Sequence, residues 1–285
     1  MVKYFVSLSE MLYKKDYYIP TSDLSVWNYN SDYHHFYNKL WIAETQNLPC
    51  GPMGIYPQLY DYPVIFKPII NLYGMSRGVR IINNDKEYDL YIRDGFFWEK
   101  YLTGIHRCID LIVKNGKIYF MSCLISHPAE NGSFDYHESD PDYRLNENII
   151  KWISEYLNNY KGLVNLETID DFIIECHLRF NGDSQLYNDE FVDQLIGFME
   201  DKIKKIKYDI KKIYMIPLFV SKDFHNKIKR EEIMKLCDEY GANTIRFDDI
   251  YSKNQSEYLS RLLMYDIDNL VKGLELRKQL SVNFH

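Results

Sequence analysis

The chain of 285 residues has no C-x-x-C pair, no apolar run approaching 18 residues, no basic-then-apolar leader, and no internal repeat or low-complexity tract. Each absence argues against a class of protein. Its five cysteines, at positions 50, 108, 123, 176 and 237, are scattered and odd in number. They speak against a disulfide framework or a sulfur-ligated zinc site and for reduced thiols in a cytosol-like compartment. Without a spanning run or a leader, the expectation is a soluble, cytoplasmic protein with no membrane partner. A formal net charge of −7 argues against a protein that wraps nucleic acid. No glycine loop is followed by Gly-Lys-Ser/Thr, so there is no Walker phosphate loop. No persuasive Ser-His-Asp or Cys-His set indicates a side-chain nucleophile. What the chain does have is 46% hydrophobic residues and 26 tyrosines, enough to bury a full core in one large or two smaller domains.

The most informative stretch is GLVNLETIDDFIIECHLRFNGD, from Gly162 to Asp183. Two apolar runs, Leu163 to Ile169 and Phe172 to Cys176, flank an Asp-Asp pair, which predicts a tight hairpin. On its second strand Glu175, His177 and Arg179 fall at i, i+2 and i+4, so the two-residue period turns all three to one face. Glu167 on the first strand can face the same way. Two carboxylates, an imidazole and a guanidinium on one face suit a metal-bound polyphosphate, the acids holding the cation and the arginine meeting an anionic oxygen. The competing reading is a cross-strand ion pair on a half-exposed sheet.

Taken in order, residues 1 to about 30 predict a short strand, Tyr4 to Ser7, a helix-like turn and a polar loop. From His34 to Pro52, Leu40, Ala43 and Leu48 mark a helix stopped by Pro49, Gly51 and Pro52, with Lys39 near its start. Between Tyr62 and Ile82 an apolar strand carries Lys67 into a loop with Gly74, Ser76 and Gly78. A lysine inside such a strand needs an anion or a carboxylate, and glycines just beyond it can bring backbone N–H groups to phosphate oxygens. Phe96 to Leu102 is a further apolar strand, followed by a hairpin whose turn is Asn115-Gly116. From Met121 to Leu145 the chain reads as a polar loop with His127, Glu130, Asp135, His137, Glu138, Asp140 and Asp142, either a metal cluster or a solvated loop. Glu147 to Tyr160 predicts a helix with Gly162 at its C-terminal cap. Beyond the hairpin, Lys202 to Ile213 spaces Ile203, Ile206, Ile210 and Ile213 as a helical stripe among lysines. Tyr214 to Val220, Arg230 to Tyr240 and Asn243 to Phe247 predict a small β-α-β addition, and Glu257 to Leu280 a final helix.

The Glu-x-His-x-Arg strand resembles the Glu-x-Asn-x-Arg strand of the ATP-grasp family, ligases that use ATP to join a carboxylate to an amine, thiol or similar nucleophile. Further segments resemble that family in the same order: Asn38-Lys39 before a helix, Pro63-Val64-Ile65-Phe66-Lys67-Pro68 before a glycine lid, and Glu99-Lys100-Tyr101-Leu102, similar to the hinge of biotin carboxylase. The resemblance spans about residues 34 to 183 and implies an α+β ATP-grasp fold. It implies a short N-terminal segment (1–33), an N-terminal subdomain with the lysine strand and lid (34–95), a C-terminal subdomain with the hinge and metal hairpin (96–190), and an α/β addition (191–285). By the resemblance Lys39, Lys67, Gly74, Ser76 and Gly78 would meet phosphate. Glu99, Lys100, Tyr101 and Leu102 would hold adenine, and His106 would serve ribose or phosphate. Glu167, Glu175 and His177 would carry Mg2+, or Mn2+ because His177 stands where the family has Asn. Arg179 and Lys67 would be the catalytic cations. The implied activity is ATP- and Mg2+-dependent ligation of an unidentified carboxylate to an unidentified amine. A protein of the same fold that binds nucleotide without turnover is the alternative, and nucleic acid is not an expected partner.

Overall fold

The computed structural model describes residues 1–74, 78–129, 134–220, 229–248 and 260–283. In chain order its elements begin with β1 (Lys3–Tyr4), α1 (Leu8–Lys14), α2 (Asp23–Tyr29), α3 (Lys39–Thr45), β2 (Cys50–Pro52), β3 (Val64–Pro68), β4 (Arg80–Ile82), α4 (Asp85–Tyr91), β5 (Phe96–Lys100), β6 (His106–Lys114) and β7 (Lys117–Pro128). They continue with β8 (Phe134–Ser139), α5 (Glu147–Tyr156), β9 (Lys161–Ile169), β10 (Phe172–His177), α6 (Asp189–Met199), β11 (Tyr214–Val220), α7 (Arg230–Tyr240), β12 (Thr244–Phe247), β13 (Ser260–Ile267) and α8 (Leu270–Asn283). This is the α+β class expected from the sequence. The chain forms two compact units, one of Pro20–Cys123 and Tyr143–Gly182, the other of Met1–Ile19, Leu124–Asp142 and Asp183–His285. These limits differ from the four segments read from the sequence. The first 19 residues group with the C-terminal third because β1 pairs in parallel with β12.

The unit that carries the hairpin contains two sheets. The smaller has strand order β2-β5-β3-β4, and in the larger β10, β9 and β6 lie side by side, followed by β7. Behind the larger sheet Phe36, Ile42, Trp152 and Ile153 pack with Ile109, Leu111, Val164 and Leu166, all buried. The turn from β6 to β7 is the predicted Asn115-Gly116, with φ of 52° and 71°. Positive φ at both central positions is what a two-residue hairpin requires, and Asn and Gly tolerate it. A Cβ on Gly116 would also meet the Ser154 carbonyl at 2.9 Å. Helix α5 ends at a cap on Leu157, and Gly162 lies inside β9 rather than capping the helix. The chain needs only Leu157–Tyr160 to turn from one element into the other, so the strand begins before the glycine.

In the second unit the strands run β1-β12-β13-β11-β8-β7, and Ile216, Leu218, Ile245, Leu263 and Tyr265 pack under Leu276 and Leu280 of α8. Three expectations are corrected here. The polar stretch 121–145 is largely strand, in β7 and β8, because its polar residues satisfy one another: Ser126 Oγ lies 2.9 Å from His137 Nδ1 and His127 Nε2 3.2 Å from Glu138 Oε2. Asp135 pairs with Arg277 at 2.7 Å, and Glu130 lies outside the described residues. The lysine-rich stretch 202–213 is not helical. Its isoleucines are β-branched and weak helix formers, and Gln194 satisfies both backbone groups of Lys207, at 2.7 and 2.8 Å. Where a helix was expected over 257–280, residues 260–267 form β13, wedged between β11 and β12 with Leu262 to Ile267 buried. A run buried on both faces carries no period, and ladder pairing decides it. The helix starts only at Leu270, where Asn269 accepts from Lys272 N–H at 3.0 Å.

Candidate functional site

The hairpin forms as read, with Ile169 opposite Phe172 and Asp170 in the left-handed region at φ 48°. Asp and Asn are the side chains that accept this conformation most readily. The register places Glu175 directly opposite Glu167, and His177 opposite Asn165, after an irregularity between Ile173 and Glu175. Glu167, Glu175 and His177 therefore share a face, and their ligand atoms all lie within 4.8 Å of one another. The two carboxylates keep about a quarter of their side-chain surface exposed, whereas His177 is 5% exposed.

His177 is held from behind. Its Nδ1 lies 3.0 Å from Oδ1 of Asp23, a buried residue at the start of α2. A carboxylate only accepts, so Nδ1 carries the proton and Nε2 points the other way. Nε2 is buried without a hydrogen-bond partner, 3.3 Å from Glu175 Oε2 and 3.7 Å from Glu167 Oε1. Burial and the charge of Arg179 push the imidazole pKa down, but the carboxylates of Asp23, Glu167 and Glu175 outweigh them and raise it to about 10. Burial would raise Glu175 as well, yet Lys39 and His177 bring it down to about 2 against the repulsion of Glu167. Glu167 is likewise held well below the usual range against its burial, by His106 and His177. Charged carboxylates at this distance around a buried nitrogen form a donor set that fits a divalent cation, which would take the place of the proton that the carboxylates favour on Nε2.

The other predicted cations each have a carboxylate partner, and Lys39 has one of these acids. Asn38 caps α3 by accepting from Trp41 N–H, and this sets Lys39 at the helix start, where its Nζ lies 2.5 Å from Glu175 Oε1. Lys67 on β3 pairs with Glu99 on β5 at 2.6 Å, both nearly fully buried, and donates to the Ile174 carbonyl of β10 at 3.2 Å. Burial raises the Glu99 pKa, and Lys67 opposes it. Arg179 lies just past the end of β10 and forms a two-bond fork on Asp23, Nε to Oδ1 at 2.9 Å and Nη2 to Oδ2 at 2.6 Å. Asp23 is consequently held well below the ordinary carboxylate range: burial raises it, and His177 and Arg179 more than compensate. No motif pointed to Asp23, which sits more than 150 residues from its partners. Its only signal is an acid in the first turn of a Ser-capped helix, which any helix can carry.

The hinge segment leaves β5 with Lys100 N–H donating to the Pro49 carbonyl and Tyr101 N–H to that of Pro63. Leu102 packs on Ala43, Leu48 and Phe97. Past the hinge, Ile105 N–H donates to Asp170 Oδ1 at 2.9 Å and Asp170 N–H to the Ile105 carbonyl at 2.9 Å, which ties the hinge to the hairpin turn. Gly104 permits that tie, since a Cβ there would come within 2.1 Å of the Asp170 carboxylate. His106 then enters β6 with Nε2 3.3 Å from Glu167 Oε2. Its partner Glu167 is one of the candidate cation ligands, and Cys108 lies in the same group of potential ligands. Gly74 and Gly78 have φ of 64° and 74°, and Ser76 lies outside the described residues. The structure thus brings Lys39, Lys67, Glu99, His106, Glu167, Glu175, His177 and Arg179 into one connected cluster, whereas the Gly74 carbonyl accepts from Asn71 Nδ2 at 2.9 Å.

At the level of sequence, no protein-family model and no curated protein matches the chain. Solved structures do. An N5-carboxyaminoimidazole synthetase from Staphylococcus aureus complexed with ADP superposes with a TM-score of 0.60 at 16% identity, over 100% of this chain and 80% of that one. An N5-carboxyaminoimidazole synthase from Aspergillus clavatus, in complex with ADP and 5-aminoimidazole ribonucleotide, gives 0.61 at 10% identity, over 92% and 79%. An L-amino acid ligase from Bacillus licheniformis gives 0.58 at 12% identity, over 91% and 75%. Together with the hairpin, the lysine strand and the hinge, these similarities show that the chain has the fold of the ATP-grasp superfamily.

Proposed function

We propose that this protein is an ATP-dependent ligase that activates a carboxylate as an acyl phosphate for attack by an amine or similar nucleophile. The observation that carries this reading is the pair Glu167 and Glu175 around the buried Nε2 of His177, with Lys39 and Lys67 reaching the same cluster. Glu167, Glu175 and His177 would hold a divalent cation, Mg2+ or Mn2+, which when bound neutralises and orients the polyphosphate. Lys39 and Lys67, now paired to Glu175 and Glu99, would turn part of their charge to the phosphate oxygens. Such buried cations act strongly because water is excluded around them. The adenine edge needs one donor and one acceptor with one residue between them, and Leu102 N–H and the Lys100 carbonyl would supply them. Among the described residues Leu102 N–H has no backbone acceptor. Gly74 and Gly78, with their left-handed backbone, would offer N–H groups to the phosphates. Arg179, fixed by Asp23, would lend its charge to the transferring group from a rigid position.

This chemistry requires no side-chain nucleophile, since the substrate carboxylate itself attacks the γ-phosphate, releasing ADP, and the amine then displaces phosphate from the acyl carbon. The carboxylate and amine would be small molecules, as they are for the L-amino acid ligase among the similar structures. A second reading, nucleotide binding without turnover, draws on the same site: each of Lys39, Lys67 and Arg179 already has a carboxylate partner. Turnover separates the two. Pools of carboxylates and amines incubated with ATP and Mg2+ or Mn2+ should yield ADP and phosphate in equal amounts only when both substrates are present. ADP formation in no pool, from a chain that binds ATP, would leave the second reading.

A further inference from the structure

The cation site differs in kind from one built of oxygen donors, and the difference extends behind the ligands. His177 Nδ1 is fixed on Asp23 at 3.0 Å, and Asp23 is itself clamped by the two-bond fork of Arg179. The ring is further bounded by Tyr37, whose ring meets it edge-on at 6.1 Å between centroids. These contacts leave Nε2 facing Glu167 and Glu175 with no hydrogen-bond partner. A carboxylate behind an imidazole is the arrangement that fixes tautomer and orientation in metal-ligating histidines and makes the free nitrogen a better donor. Magnesium demands oxygen and gives up water reluctantly, whereas imidazole suits the borderline transition ions. A nitrogen and a sulfur donor, His106 and Cys108, also lie within 4.8 Å of Glu167, which adds to the same preference.

We propose that Asp23 is a positioning residue that locks His177 as a nitrogen ligand, so that the Glu167–Glu175 site selects a transition ion that accepts nitrogen over Mg2+. This rests on the ligase reading only in taking Glu167 and Glu175 as cation ligands. The test uses Mn2+ as the probe on the full chain, with and without ATP. Pulsed electron paramagnetic resonance of bound Mn2+ should show coupling to a directly bonded 14N nucleus, lost in His177→Asn. Calorimetry should show Mn2+ binding more tightly than Mg2+ to the wild type, with the preference collapsing in His177→Asn. Asp23→Asn should weaken Mn2+ binding about 10- to 100-fold, the range for removing a carboxylate behind a metal-bound histidine. Because Asp23→Asn also loosens Arg179, circular dichroism is recorded for each variant, and His177→Asn, which leaves the Asp23–Arg179 pair in place, decides the case if Asp23→Asn fails to fold. Absence of nitrogen coupling in the wild type, or equal affinity for Mg2+ and Mn2+ in wild type and His177→Asn, overturns the proposal. ATP binding that proceeds equally well with Mg2+ and ignores His177→Asn would overturn it while leaving the ligase reading intact. Nitrogen-coupled Mn2+ on a chain that ignores ATP would support it and sink the ligase reading.

Discussion

Replacing Lys67 with methionine separates what that residue does for stability from what it does for nucleotide. Lys67 and Glu99 form a buried pair, with side chains 5% and 4% exposed, so Lys67→Met leaves a carboxylate in an apolar setting without its cation. Removing one partner of such a pair costs about 3–5 kcal/mol. The protein can limit the loss by protonating Glu99. Each pH unit between the ordinary glutamate value of about 4.3 and pH 7 then costs about 1.36 kcal/mol, about 3.7 kcal/mol in all. With Glu99 raised in the folded state, the folded protein binds the extra proton, and stability falls as pH rises above the unfolded value. The deficit relative to wild type should therefore shrink to about 1 kcal/mol at pH 5. Urea unfolding at pH 7 and pH 5 measures both. The double variant Lys67→Met/Glu99→Met, which removes the charge altogether, should recover most of the stability while binding ATP more weakly than the wild type. A loss under about 1 kcal/mol at pH 7, or the same loss at both pH values, would refute the claim that Lys67 is what lets Glu99 be charged there.

Three further outcomes follow from particular contacts. Gly104→Ala should destabilise by about 2 kcal/mol in urea unfolding, because its φ of 151° and the Asp170 carboxylate 2.1 Å from the new Cβ both oppose a side chain; Gly182→Ala, with open space at its Cβ, should not. Asp183 is held well below the ordinary range, since Arg261 and Arg246 outweigh its burial. Its contribution is full above pH of about 4 and drains away below it, so Asp183→Asn should be less stable than wild type at pH 6 and show a flatter decline below pH 4. Of the five thiols only Cys50 is not buried, and burial together with Glu44 and Glu99 pushes it up to about 11. Thiol titration of the native chain should therefore give one slow equivalent, and five after denaturation. Two or more fast equivalents would contradict the packing around Cys108, Cys123, Cys176 and Cys237.

The legible parts of this fold were those with a short-range period or an unusual residue in a regular one. The hairpin could be read because apolar residues alternate around Glu175 and His177 and an Asp-Asp pair marks the turn. Lys67 stood out because a lysine in an apolar strand demands a partner, although the sequence did not reveal that the partner is Glu99 on the adjacent strand. Asn115-Gly116 carried its own backbone requirement. The two-residue period puts Arg179 on the hairpin face, but the strand ends at His177 and the guanidinium turns to Asp23, a residue no local pattern distinguishes. The stripe of isoleucines from Ile203 to Ile213 had the right spacing for a helix. Only tertiary contacts, such as Gln194 on both backbone groups of Lys207, favoured extended chain. Strand β13 is hidden for the opposite reason: with both faces buried its sequence carries no alternation.

Calorimetric titration of ATP into the purified chain, with and without divalent cation, tests the central claim most directly when repeated on Lys67→Ala and Glu175→Ala. The account predicts cation-dependent ATP binding by the wild type, weakened by Lys67→Ala, with the cation dependence lost in Glu175→Ala. A wild-type chain that gives no ATP heat with Mg2+, with Mn2+ or with neither would contradict it, and the fold would then serve a purpose other than nucleotide chemistry.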